Sequence, residues 1–167
     1  YMDMLNLLNP LKGLIYQHYC EGGGCGRVYF SNLNGQKIDA LRQAMEAYKE
    51  DKNLYYFLLA SLLESADKVA NTASVYSSFL KTLKPLACKE IVLEACAFEP
   101  DEKSHQVFCE DANTLISKIE GDILYLDPPY NHRQYGANYH LLNTIALYDV
   151  FEPQGKTGVR NYESSTN

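Results

Sequence analysis

Tryptophan is missing altogether, and the 167 residues hold only six prolines and ten glycines. That scarcity excludes collagen-like and proline-rich low-complexity chains, and at 46% hydrophobic and 22% charged the balance is that of an ordinary globular domain. Long hydrophobic runs are lacking too. The longest predominantly apolar stretch, Tyr55 to Leu63, falls far short of the roughly 20 residues needed to span a bilayer. The first residues show no charged segment followed by an apolar core and a small-residue cleavage site, so a cytoplasmic protein is expected. Nor is there a disulfide or zinc pattern. The five cysteines (Cys20, Cys25, Cys88, Cys96, Cys109) are odd in number, irregularly spaced and without a CxxC pair. Reduced, mostly buried thiols are expected, with Cys20 and Cys25 beside His18 as the one alternative, a small metal site.

Positive charge is in deficit, at a formal net charge of −6, which argues against a nucleic-acid partner. The distribution of that charge weakens the objection. Residues 1–83 balance at eight basic and eight acidic groups, whereas residues 84–126 carry four against nine. The loop region that follows, with Arg133, Lys156, Arg160, His132 and His140, remains free to face phosphates.

Hydrophobic spacing divides the chain into a mostly helical segment, residues 1–85, and an α/β segment, residues 86–167. In the first, a helix is expected from Leu11 to Tyr19, with Asn9 as cap and Pro10 at its first position. Gly22-Gly23-Gly24 stops it. Asn34-Gly35 reads as a turn or cap before an amphipathic helix, Gln36 to Tyr48, with Ile38, Leu41, Met45 and Tyr48 on one stripe. Two more helices are predicted over Leu54–Ala70 and Val75–Leu83, Pro85 standing just beyond. In the second segment, Ile91–Leu93 and Gln106–Cys109 are short strand candidates. Thr114 to Ile119 reads as a short helix capped by Asn113. Ile123-Leu124-Tyr125-Leu126 has the continuous apolar look of a strand buried on both faces of a parallel sheet. Strand, helix and strand then make a right-handed βαβ unit, followed by a helix over Asn138–Tyr148.

The chemistry concentrates at Asp127-Pro128-Pro129-Tyr130, directly after the most strand-like run. Open α/β sheets bind ligands just outside the carboxyl ends of their strands. Two prolines hold the backbone rigid and leave acceptor carbonyls free. The Asp127 carboxylate and the Pro128 carbonyl together suit a planar exocyclic amine, and Tyr130 offers a face on which a base can stack. The alternative is a proline-rich turn after a strand.

Through this tetrad and the residues around it, the sequence resembles the adenine-specific DNA methyltransferases of restriction–modification systems known as the D12 class. The likeness runs on through Asn131-His132-Arg133-Gln134-Tyr135, Asn138-Tyr139-His140-Leu141-Leu142, Tyr148-Asp149 and Gly155-Lys156-Thr157-Gly158-Val159-Arg160. Upstream it takes in Gly26–Phe30, Asn34–Asp39 and Ala73–Lys81. The resemblance implies a partial Rossmann-like, S-adenosylmethionine-dependent methyltransferase fold. It also implies methyl transfer to the N6 amine of an adenine flipped out of duplex DNA, with no metal. Carried over, Asp127 and Pro128 hold the amine, Pro129 stiffens the turn and Tyr130 stacks on the base. The family also has an Asp at the end of the preceding strand that bonds the cofactor's adenine, and Asp111, followed by Ala112, is the choice here. Its alternative role, with Asn113, is to cap the short helix.

The family's Phe-x-Gly-x-Gly cofactor loop is missing. Gly22-Gly23-Gly24-Cys25-Gly26 follows a helical pattern with no leading Phe, and reads as a helix stop rather than a cofactor loop. With that loop and the later strands absent, an internal fragment of a longer enzyme is expected, able to associate with itself or with the missing part. Arg133, Lys156 and Arg160 are candidate phosphate contacts, with a solvated loop as the alternative. Tyr135 and Tyr139 either flank a ligand or pack under the loop. Rival functions are RNA or cytosine-amine methyl transfer by the same tetrad, and a catalytically silent interaction module.

Overall fold

A computed structural model describes residues 1–100, 102–127 and 135–161. Along these residues run α1 (Met2–Asn6), α2 (Leu14–Tyr19), α3 (Asn32–Met45), α4 (Lys52–Lys68), α5 (Ala112–Leu115), α6 (Tyr135–Asn138) and α7 (His140–Leu147). Helices α3 and α4 form the centre, with α2 packed on α3 and α7 packed on α4. The core draws Ile15 and Tyr19 from α2, Ile38, Leu41 and Met45 from α3, and Leu58 and Leu62 from α4. Ile91, Leu93, Leu141 and Ile145 join the same core from farther along the chain.

Helix α3 starts earlier than its apolar stripe suggests. The Ser31 hydroxyl accepts the Asn34 N–H at 3.2 Å and caps the helix, which places Asn34-Gly35 inside it rather than in a turn. Gly35 is there for close approach: a Cβ on it would run into the Cys20 sulfur. Helix α4 begins at Lys52, two residues before the expected Leu54, because the Asp51 carboxylate accepts the Leu54 N–H at 3.1 Å. Helix α2 corrects the Asn9-Pro10 start. Its first turn is capped from outside by Asp39 of α3, whose carboxylate accepts the N–H groups of Gly13, Ile15 and Tyr16 at 2.8–3.0 Å.

Arg42 of α3, almost wholly buried, donates to the Ile145 and Ala146 carbonyls at 2.9 and 3.0 Å and so satisfies the last turn of α7. Tyr148, at a left-handed φ of +49°, ends α7 and sends its hydroxyl to Asp39 at 2.7 Å. One carboxylate therefore ties α2, α3 and the end of α7 together. Burial raises its pKa, and its four hydrogen-bond donors offset that rise only in part.

The expected helix over Val75–Leu83 does not form. Asn71 instead closes that segment into a loop: its amide donates to the Val28 and Leu80 carbonyls at 2.8 Å, and its Oδ1 accepts the Lys84 N–H at 2.9 Å. A single buried amide satisfies backbone groups that a helix would otherwise pair internally.

The parallel sheet is the larger correction. Among the described residues only isolated bridges occur, Cys20 with Phe30 and Gln154 with Val159. Ile91–Leu93 is extended and alternates buried, exposed, buried, but its partners are side chains. Ile91 N–H donates to Asn34 Oδ1 at 3.0 Å, and Leu93 exchanges hydrogen bonds with Asn6 at 2.8 and 3.0 Å. Gln106–Cys109 is exposed and forms no strand or ladder. Ile123, Leu124, Tyr125 and Leu126 are 89%, 60%, 84% and 68% exposed, so the run read as a doubly buried strand is neither paired nor covered by the described residues. Its apolar character reports what it can pack against, not that a partner is present. The expected βαβ unit is therefore not assembled. No described helix is long and apolar enough to cross a membrane.

Candidate functional site

Asp127 stands exposed at the end of the 123–127 run, which has no regular secondary structure. Pro128, Pro129, Tyr130 and Arg133 lie outside the described residues. An exposed carboxylate is accessible to a ligand amine, which is the first requirement of the role the tetrad suggests.

Asp111 is the N-cap of α5. Its Oδ1 accepts the Thr114 N–H at 3.0 Å and the Thr114 hydroxyl at 3.3 Å, so the helix starts at Ala112 and the cap is Asp111 rather than Asn113. The side chain is exposed, and Oδ2 accepts no hydrogen bond from a described residue. One carboxylate thus offers a free oxygen to an amine while the other oxygen is fixed by the helix. Such an oxygen can accept from a ligand amine.

The Gly22–Gly26 segment is built as a turn. A 3₁₀ turn over Glu21–Gly23 follows α2, and Gly24 and Gly26 take φ of +84° and +67°. The Gly22 N–H is held by Asn32 Oδ1 at 2.8 Å and its carbonyl by the Tyr16 hydroxyl at 3.1 Å. These bonds anchor the backbone to the helical layer, as a helix stop requires.

Among the candidate DNA contacts, Tyr135 and Tyr139 are about half exposed and stack on each other, with ring centroids 6.1 Å apart and planes at 20°. Lys156 is exposed at the tip of a hairpin. Arg160 is held: it pairs with Asp149 at 2.7 Å and lies 4.1 Å over the Phe151 ring, its side chain only 12% exposed. The structure does not bring Arg160 out into solvent beside Lys156 as a second free cation.

All five cysteines are free, and three of them, Cys25, Cys88 and Cys109, are exposed, contrary to the expectation of mostly buried thiols. Only Cys20 is fully buried, and burial raises its thiol pKa to about 12. The Cys25 sulfur lies 3.9 Å from His18 Nδ1, but no cluster able to hold a metal occurs among the described residues. Sequence reasoning passed over Asp39, Arg42 and Arg27, three buried charges that organise the fold. The one signal was a charge inside or beside an apolar stripe, which periodicity alone assigns to solvent.

Residues 6–167 match the model of the D12 class N6 adenine-specific DNA methyltransferases, and the chain belongs to that family. It is 61% identical over 168 residues to the type II methyltransferase M.NlaIII of Neisseria lactamica, a match covering 98% of this chain and 50% of that protein. It is 44% identical to the type II methyltransferase M.CviAII of Paramecium bursaria Chlorella virus 1, covering 99% of this chain and 49% of that one. With the type II methyltransferase M.FokI of Planomicrobium okeanokoites the identity is 41%, over 89% of this chain and 24% of the relative. The chain thus spans about half the length of the curated relatives it matches, or less. No solved structure matches it.

Proposed function

We propose that this chain is the base-gripping part of a site-specific DNA adenine methyltransferase of a restriction–modification system. The observation that carries the reading is the Asp127–Tyr130 tetrad, standing inside a family match that runs over nearly the whole chain. The target adenine leaves the base stack, since its amine is unreachable within the duplex. Asp127 and the Pro128 carbonyl accept its two amine hydrogens and draw electron density toward the nitrogen. Pro129 keeps that carbonyl in place, and Tyr130 stacks on the ring. S-adenosylmethionine, when bound, supplies an electrophilic methyl group. Asp111 and Ala112 are the residues that would hold the cofactor's adenine, Asp111 by accepting its amine. Positioning of the nitrogen and stabilisation of the charge that develops on it do the catalytic work, without a covalent enzyme intermediate. Arg133, Tyr135, Lys156 and Arg160 lie toward the DNA, Arg160 by supporting the loop. We assign the mostly helical part to residues 1–85 and the catalytic part, in a Rossmann-like arrangement within the whole protein, to residues 86–167.

The test is a methylation assay of the whole protein on duplex DNA, with the modified base mapped. N6-methyladenine at a fixed sequence is expected. Asp127→Ala removes an aligned acceptor, and turnover should fall at least about a hundredfold, with cofactor affinity much less affected. Turnover close to that of the unaltered protein would sink the assignment.

A further inference from the structure

Gln154 and Val159 exchange both backbone hydrogen bonds, at 2.9 and 3.0 Å, closing a hairpin whose loop is Gly155-Lys156-Thr157-Gly158. Gly155 and Gly158 hold φ of +64° and +73°, which let the backbone turn that tightly. The loop carbonyls are gripped by one short segment of the helical layer. Arg27 donates from Nη2 to the Gly155 carbonyl at 3.0 Å and from Nε to the Lys156 carbonyl at 3.2 Å, while Nη1 returns to the His18 carbonyl at 3.2 Å. The Tyr19 hydroxyl donates to the Gly158 carbonyl at 2.7 Å. A Cβ on Gly158 would lie 2.8 Å from Arg27 Nε and 2.9 Å from Tyr19 Cε1, so the turn meets this clamp at backbone contact.

Arg27 is only 8% exposed, and its partners among the described residues are carbonyls, none of them a carboxylate. A guanidinium buried without a counter-ion leaves its positive field unneutralised just beneath the turn. Peptide planarity adds the second element. In a trans peptide N–H and C=O point in opposite directions. Fixing the Gly155 and Lys156 carbonyls on Arg27 therefore turns the N–H groups of Lys156 and Thr157 away from it. No described residue accepts from either one. Two adjacent N–H donors, the exposed Lys156 ammonium and a buried positive charge behind them form a donor set for a tetrahedral oxyanion.

We propose that the Gly155–Gly158 turn binds a phosphodiester of the DNA backbone, and that Arg27 is the positioning residue that orients it. This rests on the reading of the substrate as DNA. Lys156 supplies the long-range attraction, the two N–H groups supply direction, and Arg27 acts through the backbone it holds and the positive charge it places behind the turn. A bidentate guanidinium fork is needed for that, which lysine cannot reproduce.

The experiment is a titration of the isotope-labelled whole protein with short duplex DNA, following backbone amide resonances and the salt dependence of affinity. The Lys156 and Thr157 amides should shift on binding, and Lys156→Ala should lower the log–log salt slope by about 0.9, the loss of one phosphate contact. Arg27→Lys keeps the charge but loses the fork. It should abolish the amide shifts, and a further Lys156→Ala change should then lower the salt slope by less than it does alone. Should Arg27→Lys fail to fold, Lys156→Ala, an exposed change that leaves the clamp intact, still decides the matter. Duplex binding with unmoved turn amides and an unchanged slope in Lys156→Ala overturns the inference and leaves the DNA reading standing. Absence of duplex binding at any salt concentration overturns both.

Discussion

His140 is wholly buried among tyrosine rings, with Tyr19 and Tyr29 centred 6.1 and 5.7 Å away. Its Nε2 lies 2.8 Å from the Tyr76 carbonyl, so that nitrogen carries the proton of the neutral ring, and Nδ1 meets no partner among the described residues. Burial, assisted by the Arg27 charge, holds the pKa down to about 4 from the ordinary 6.5. A depressed histidine leaves stability intact above pH 6.5. Below that, the unfolded chain gains a proton that the folded one refuses, and stability declines until the pH reaches about 4. The loss should be on the order of 3 kcal/mol. Urea denaturation across this window should show it, and His140→Gln should flatten the profile; an unchanged slope in that variant would place the proton elsewhere. At the tetrad the expectation concerns a face rather than a charge. Tyr130→Phe should keep much of the methyl transfer, whereas Tyr130→Ala should lose the roughly 1–3 kcal/mol of base stacking. Equal damage from both changes would mean that the hydroxyl, not the ring, does the work.

Among the elements, amphipathic spacing located α3, α4 and α7 well, because their stripes face one another and no special chemistry is needed to place them. Boundaries depended on single capping side chains, and Ser31 and Asp51 each drew a helix start toward the N-terminus. The cap of α2 was not legible locally, since Asp39 lies more than twenty residues along the chain. Removing it tests how far one carboxylate holds three elements. Asp39→Ala removes the acceptor of three N–H groups and of the Tyr148 hydroxyl at a partly buried junction, each at roughly 1–3 kcal/mol where water cannot reach, so a loss of about 3 kcal/mol is expected in urea denaturation. A loss below about 1 kcal/mol would show that water replaces the carboxylate there. Gly13 belongs to the same junction, where a Cβ would meet the Tyr148 hydroxyl at 2.5 Å and the Asp39 carboxyl carbon at 2.8 Å.

Across the molecule as a whole, two kinds of apolar surface coexist. One is the core, closed by helices and by the extended Ile91–Leu93 segment, whose backbone is satisfied by Asn6 and Asn34. The other is open: Val107, Ile123, Tyr125 and Leu126 are 95%, 89%, 84% and 68% exposed. Extended apolar segments with unpaired edges are templates for further strands. The chain by itself should therefore associate as its concentration rises. Sedimentation should reveal this, and Ile123→Lys with Tyr125→Lys should reduce it; a monomer at all concentrations would mean that these residues are shielded by some other part of the chain.

Helices α3, α4 and α7 and the family were legible in the order of the residues, because periodicity and a four-residue motif are local properties that need no partner to be read. The remainder was settled by folding in three dimensions. Whether Ile123–Leu126 becomes a buried strand depends on neighbours that its own composition cannot supply, and among the described residues it has none. Why Asp39, Arg42, Asn71 and Arg27 matter is equally invisible from spacing. Each is a polar group in a dry place, and a buried polar group is tolerable only when distant backbone atoms converge on it. That convergence is set by the packing of α2, α3, α4 and α7, and it exists only once the chain has folded.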